Sequence, residues 1–299
     1  MKILVVGSTG TVGSEVATSL AQRGEQVRGL VRPASAAGKV AALEAAGVET
    51  VEGDLRDPRS LAAACSGVDA VITTASAMPM SWTENNTIGI VDRDGTIALI
   101  DEAKRAGVKH FILTSFPDPQ QPESPLGEAK LAAEMHLVGS GMMYTVLAAN
   151  NFTEIWLSPA LGFDYANGQA TIYGDGTNSL SMVSFRDVVR TACEALYRRE
   201  ARNTTLAVGG PHALSQRDIV EIFEKQSGKK WQLTHVSADA LREQLESADD
   251  ELQQSFAARQ LAFATAPCFA MDPSTYLVRT NLRAVAEYAA DVLGSTVGV

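Results

Sequence analysis

Cysteine, histidine and basic residues are scarce in this chain, and each scarcity removes a class of protein. Three cysteines in 299 residues (Cys65, Cys193, Cys268) are scattered with no C-x-x-C spacing, so neither a disulfide framework nor a zinc site is indicated. Four histidines (His110, His136, His212, His235) share no ligand spacing, and no metal is expected. Lysine and arginine total 25 against 35 acidic residues, a net charge of −10 with no basic cluster. Nucleic acid is therefore not expected as a partner, because phosphate contacts need a basic face. No apolar run approaches the length that spans a bilayer, so no membrane partner is expected either. The first apolar segment is too short for a secretory leader, and the sequons at Asn85, Asn151 and Asn203 are expected to be unused. The expectation is a cytoplasmic monomer or homodimer. A hydrophobic share of 45% and a charged share of 20% are ordinary for a globular chain of one large α/β domain with an appended lobe.

What the chain does have is concentrated at its start. Lys2–Val6 is a continuous apolar run, read as a strand buried on both faces. Gly7-Ser8-Thr9-Gly10-Thr11-Val12-Gly13 follows at once, and Ser14 to Gln22 is helix material closed by Gly24. Strand, glycine turn and helix in that order form the first unit of a dinucleotide-binding fold. Gly7, Gly10 and Gly13 let the backbone turn tightly and approach a pyrophosphate. The N–H groups around Thr9, Thr11 and Val12 and the helix dipole would hold that anion.

Strands are predicted at Gln26–Val31, Val48–Gly53, Val68–Thr73, Lys109–Leu113 and Tyr144–Leu147. Helices of crossover length separate them, including Ile90–Ala106 and Leu126–Val138, so the sheet should be parallel and doubly wound. The second strand ends at Arg32 without the acid that would accept the ribose 2′-hydroxyl. An arginine there suits a 2′-phosphate, which favours NADP while leaving NAD open, and Arg28 competes for the role. Asp54, with Leu55 beside it, ends the third strand and either faces an adenine ring or is an ordinary turn residue. Thr74, Ala75 and Ser76 are small enough for a backbone to lie against the nicotinamide ribose. Met78 to Asn86 reads as a mobile loop, and Phe116 to Pro125 as a proline-rich loop over the site. Residues 1–150 form the cofactor core. Residues 151–299 form a smaller substrate lobe, with a strand near 204–208 returning to the core sheet. Asn150, Asn151, Phe152 and Trp156 follow a strand end on the ligand side and are candidate substrate contacts for a small molecule. An acidic helix over Ala238–Phe256 and a terminal helix from about Asn281 complete the reading.

The glycine spacing, Arg32, Asp54, Thr74-Ala75-Ser76 and Lys130 in Gly127-Glu-Ala-Lys-Leu-Ala-Ala-Glu134 together resemble the atypical short-chain dehydrogenase/reductase family. Within it, Ser140-Gly141, Tyr144-Thr-Val-Leu147, Asn151-Phe152-Thr-Glu154 and Tyr173-Gly-Asp-Gly176 to Asp187 are similar to the NmrA-like subgroup. That subgroup includes NADP-dependent quinone, triphenylmethane-dye and isoflavone-type reductases and redox-sensing regulators. The resemblance implies Lys130 and Ser115 as catalytic residues and Lys130 as a ligand of the nicotinamide ribose. It also implies a tyrosine four residues before the lysine as proton donor, and there this chain has Leu126. Three readings stay open: a reductase of acceptors needing no strong acid, a substitute acid (Tyr165, Tyr173 or His136), or a cofactor-binding regulator without catalysis. A surface pair of Lys130 with Glu134, one helical turn on, is the plain alternative for the lysine.

Overall fold

The computed structural model describes residues 1–79, 81–117, 124–266 and 271–296. The chain divides into two compact units, Met1–Ala148 with Val188–Leu206, and Ala149–Asp187 with Ala207–Val299.

In the first unit, β1 (Lys2–Val6) leads through the glycine turn into α1 (Thr11–Gln22). The alternation continues with β2 (Gln26–Val31), α2 (Ala37–Ala45), β3 (Glu49–Glu52), α3 (Pro58–Cys65) and β4 (Ala70–Thr73). A π-helical segment, Gly89–Gly95, then runs directly into α4 (Thr96–Arg105), and β5 (His110–Ser115), α5 (Pro125–Gly139) and β6 (Met143–Ala149) follow. Registers are parallel throughout, Ile3 opposite both Val27 and Ala70, and Ile72 opposite Ile112. Because every strand runs the same way, their carboxyl ends share one edge, the edge at which this class of sheet binds ligands. Ile3, Leu4, Val5, Val71, Ile72, Phe111 and Ile112 are fully buried, which explains why these strands read as unbroken apolar runs rather than alternating ones. The doubly wound parallel sheet expected from the sequence is present.

Val16, Ala17 and Leu20 turn the apolar stripe of α1 onto the sheet. Pro58 opens α3 behind Asp57, whose carboxylate caps the N–H of Arg59, and Ser124 caps α5 at the N–H of Gly127.

The second unit begins with β7 (Asn151–Phe152) and the short α6 (Thr153–Trp156), then β8 (Phe163–Asp164), β9 (Gln169–Tyr173) and β10 (Ser179–Val183). After α7 (Phe185–Ala195), β11 (Thr204–Val208) takes the outer place beside β6 in the seven-stranded sheet, order β11-β6-β5-β4-β1-β2-β3. Then come β12 (Ala213–Ser215), α8 (Gln216–Ser227), β13 (Gln232–Val236), α9 (Ala238–Glu246), α10 (Glu251–Thr265) and α11 (Val285–Thr296). Two three-stranded sheets, β12-β10-β7 and β13-β9-β8, follow, and aromatic packing sets α8 on the second: Phe163 of β8 lies 4.8 Å from Phe223 of α8 and 4.9 Å from Trp231.

Three expectations need correction. The acidic stretch Ala238–Phe256 is two helices, because Asp250 leaves helical geometry and its carboxylate caps the N–H of Gln253 at 2.8 Å. The last helix starts at Val285, since Asn281 sits at φ +54° in left-handed backbone. The segment Met78–Asn86 is a tied turn: Ser81 Oγ donates to the carbonyls of Ser76 and Ala77, and buried Asn86 donates through Nδ2 to Ser81 O. Met80 within it lies outside the described residues, as do residues 118–123 of the proline-rich loop and Cys268.

Candidate cofactor and active site

The glycine turn is built by contact. Gly7 has φ +83°, and a Cβ on it would lie 2.9 Å from the backbone N of Ala75. A Cβ on Gly13 would lie 2.2 Å from Gly7 O and 2.7 Å from Thr74 Oγ1. Only glycine lets α1 approach β1 and the Thr74-Ala75 backbone this closely. Gly10 stands at the N-cap of α1 with no side-chain hydrogen bond, and the first turn of the helix has no acidic residue. The leading N–H groups of this twelve-residue helix are thus left without a side-chain cap.

Arg32 follows β2 on the same edge, half-buried, with no hydrogen bond to its guanidinium among the described residues. Arg28 does not compete with it. Its Nε and Nη2 bind Glu49 at 3.1 and 3.0 Å, and its Nη1 donates to the carbonyls of Ala64 and Ser66 at the end of α3. Asp54 is held by Arg56, with Nε to Oδ1 at 2.9 Å and Nη2 to Oδ2 at 2.6 Å. Burial alone would raise its pKa, but the Arg56 hydrogen bonds and charge and the nearby Arg32 charge outweigh burial and hold the carboxyl below its ordinary range. Leu55 beside it is buried. Sequence reasoning missed Lys39, in the first turns of α2, whose Nζ donates to Thr9 O in the glycine turn at 3.1 Å. A lysine opening the helix after β2 was the available signal.

Lys130 is buried on α5, 6% exposed, and it does not pair with Glu134. Its Nζ lies 2.9 Å from Oδ1 of Asp92, a residue of the π-helical segment that is 0% exposed. The other oxygen of Asp92 accepts the N–H of Ala77 at 2.9 Å, immediately after the small-residue run Thr74-Ala75-Ser76. Sequence reasoning missed Asp92, for which an acid in register with the apolar face of Thr96, Leu99 and Ala103 was the available signal. Glu134 instead accepts a short hydrogen bond from Ser115 Oγ at the end of β5. Burial pushes the Glu134 carboxyl above the usual carboxylate range, against the pull of Ser115 and of the Lys130 charge. Leu126, four residues before Lys130, packs against the hydrophobic core of the unit.

In the second unit, Asn150 and Asn151 are buried, and Asn150 Oδ1 accepts both the N–H and the Nδ2 of Asn151 at 2.8 Å. Phe152 packs 5.0 Å from Phe185. Trp156 stands edge-on to Phe263 at 4.6 Å and lines a small apolar cleft with Leu157, Tyr173, Met182, Gln216 and Phe263. Of the substitute acids, Tyr173 accepts from Gln260 Nε2 at 3.1 Å, and burial raises its phenol. His136 meets Asp101 at 2.8 Å on the α4–α5 side. Among the described residues no cluster of metal-ligand type occurs, and no helix is long and apolar enough to cross a membrane.

Comparison with known proteins supplies the family. An NAD(P)H azoreductase of Xenophilus azovorans is 31% identical over 277 residues, 92% of this chain and 88% of the relative. The Photosystem II assembly factor Ycf39 of Trieres chinensis is 29% identical over 237 residues, 79% of this chain and 72% of the relative. Among solved structures, an NADPH-dependent quinone oxidoreductase from Escherichia coli complexed with NADPH superposes with a TM-score of 0.80 at 21% identity, covering 97% of this chain and 99% of that one. Residues 1–289 match the NmrA-like family as a whole, and the chain belongs to it.

Proposed function

We propose that this chain is an NADP(H)-dependent reductase that delivers hydride to a small aromatic, quinone-like or conjugated acceptor. The observation that carries the proposal is the joint placement, on one sheet edge, of a glycine cradle and two cationic side chains. A Cβ at Gly7 or Gly13 would strike Ala75 N or Gly7 O, so the turn closes this tightly against α1 only with glycine, and a turn of that kind fits a dinucleotide. The start of α1 would take the pyrophosphate. Arg32, and Lys39 at the rim of the turn, would meet the 2′-phosphate; Asp54 with Leu55 would border the adenine, and Thr74 to Ser76 with Lys130 the nicotinamide ribose. When bound, the cofactor supplies the hydride.

The protein's own part is binding, orientation and charge. Lys130 offers an ammonium to an oxyanion that develops as a carbonyl is reduced. With Leu126 in place of a tyrosine, no phenol stands ready at that position, which suits acceptors whose reduced form is stabilised by delocalisation. The azoreductase and quinone-reductase relatives support this choice of acceptor class. Asn150, Asn151, Phe152 and Trp156 are proposed substrate contacts on the same reading.

A second reading is a cofactor-binding sensor or assembly factor without turnover. Two things favour it: the Ser115 hydroxyl is spent on Glu134 rather than left for a ligand, and one relative is an assembly factor. Fluorescence titration with NADPH and NADH, followed by NADPH oxidation with menadione and a panel of azo and triphenylmethane dyes, separates the two. Tight NADPH binding with turnover is expected. Tight binding with no turnover across the panel would sink the reductase and leave the sensor.

A further inference from the structure

The pairing of Lys130 deepens the reductase reading and rests on it. Among the described residues Asp92 is the one carboxylate within ion-pair distance of Lys130, and it is wholly enclosed, at 0% exposure. It stands inward on the face that the continuing helix also buries, since Thr96, Leu99 and Ala103 follow it at helical spacing and are themselves buried. A buried pair of this kind is a poor device for stability, since packed apolar residues of similar volume serve at least as well. Its geometry has a further feature. Nζ lies 2.9 Å from Asp92 Oδ1 but outside hydrogen-bonding alignment, so Oδ1 accepts no hydrogen bond. Among the described residues nothing takes a hydrogen bond from the Lys130 ammonium. The lysine is compensated in charge and uncommitted in its donors.

We propose that Asp92 is the positioning residue of the site. One oxygen anchors the backbone at Ala77, directly after the small-residue wall, and the other fixes the Lys130 ammonium by charge alone. The lysine's three N–H groups are thereby left for ligand hydroxyls, those of the nicotinamide ribose. Asp92 touches neither substrate nor cofactor. It sets the distance between the two walls that do.

The test is a double-mutant cycle on the full chain: wild type, Asp92→Asn, Lys130→Met and the double variant. Its readouts are NADPH dissociation constants by fluorescence, menadione-dependent NADPH oxidation and thermal unfolding. Asp92→Asn should weaken NADPH binding about tenfold, equivalent to about 1.4 kcal/mol, and lower kcat. In the Lys130→Met background the same change should do nothing further, because the group it positions is gone. An equal loss in both backgrounds, or no loss in either, would overturn the proposal, since a purely architectural aspartate acts whether or not the lysine is present. If Lys130→Met itself left binding and turnover intact, the role given to Lys130 would fall and this inference with it, which is a different outcome from the additive one. Asp92→Ser, whose hydroxyl still accepts from Ala77 without added bulk, carries the same expectation if Asp92→Asn folds poorly.

Discussion

Replacing Gly13 by alanine tests the glycine cradle most directly, because the contact it would make is defined to a fraction of an ångström. The new Cβ would stand 2.2 Å from Gly7 O, 2.7 Å from Gly7 C and 2.7 Å from Thr74 Oγ1. Carbon–heavy-atom contacts settle near about 3.5 Å, so α1 or the turn must give way by roughly 1 Å. None of the three atoms belongs to a long side chain that could swing aside. Overpacking of this kind costs about 1–3 kcal/mol, read as a lower urea midpoint with an unchanged slope. The same displacement moves the leading N–H groups of α1 out of the narrow distance window of a hydrogen bond. Each charge-assisted bond lost to the pyrophosphate is worth about 1.5–3 kcal/mol, so NADPH affinity should fall by at least about tenfold. Gly10→Ala is the matched control, since its Cβ would meet only Gly7 O, at 3.2 Å, on extended backbone at φ −82°. It should move the urea midpoint little and weaken NADPH chiefly by crowding the ligand. A Gly13→Ala protein with both the wild-type midpoint and wild-type affinity would refute the packing argument.

Acid stability should carry the mark of His110. Its Nε2 meets Thr145 Oγ1 at 2.8 Å, Thr145 donates in turn to Ala201 O, and burial with the Arg202 charge lowers the imidazole to about 4. The unfolded chain, titrating near 6.5, binds the extra proton between those values. Stability is therefore full above about pH 6.5 and falls as pH drops towards 4, by at most about 3 kcal/mol. Urea midpoints across that window should show the fall, and His110→Gln should flatten it; an unchanged slope in the variant would assign the acid sensitivity elsewhere. For cofactor choice, Arg32→Glu should lower NADPH affinity about tenfold or more relative to NADH in the same titration, and an unaltered preference would remove Arg32 from the 2′-phosphate site.

The first strand, its turn and its helix were legible because each demand there is local. Four consecutive residues with almost no exposure need an unbroken apolar run, and a backbone at φ +83° needs a glycine. Partner choice was not legible, because tertiary register decides it. Arg28 and Arg32 lie on one short stretch, yet Arg28 falls opposite Glu49 across β2 and β3 and beside the open carbonyls of α3, whereas Arg32 lies past the end of the pairing. In the second unit the two-residue strand β7 and the exposed strand β13 carry too little periodicity to announce themselves, and their pairing with β10 and β9 is non-local. The break between α9 and α10 did have a local signal in the Asp250 cap, hidden under a continuous run of acidic helix formers.

Lys130 is where the two kinds of information part. A motif spacing carries the lysine itself, and an i, i+4 count pairs it with Glu134 on the same helix. That count treats α5 as a free-standing surface helix, whereas Ala129 and Ala133 flank the lysine in the core and draw its side chain inward. Once there, its counter-charge has to come from another element. A 3.6-residue reading of Ile90–Ala106 does put Asp92 on the face of buried Thr96, Leu99 and Ala103, but it does not say that α5 brings Lys130 to that face. The glycines and the lysine therefore follow from residue type and spacing, while the electrostatics acting on that lysine depend on a pairing between two helices that only the folded chain reveals.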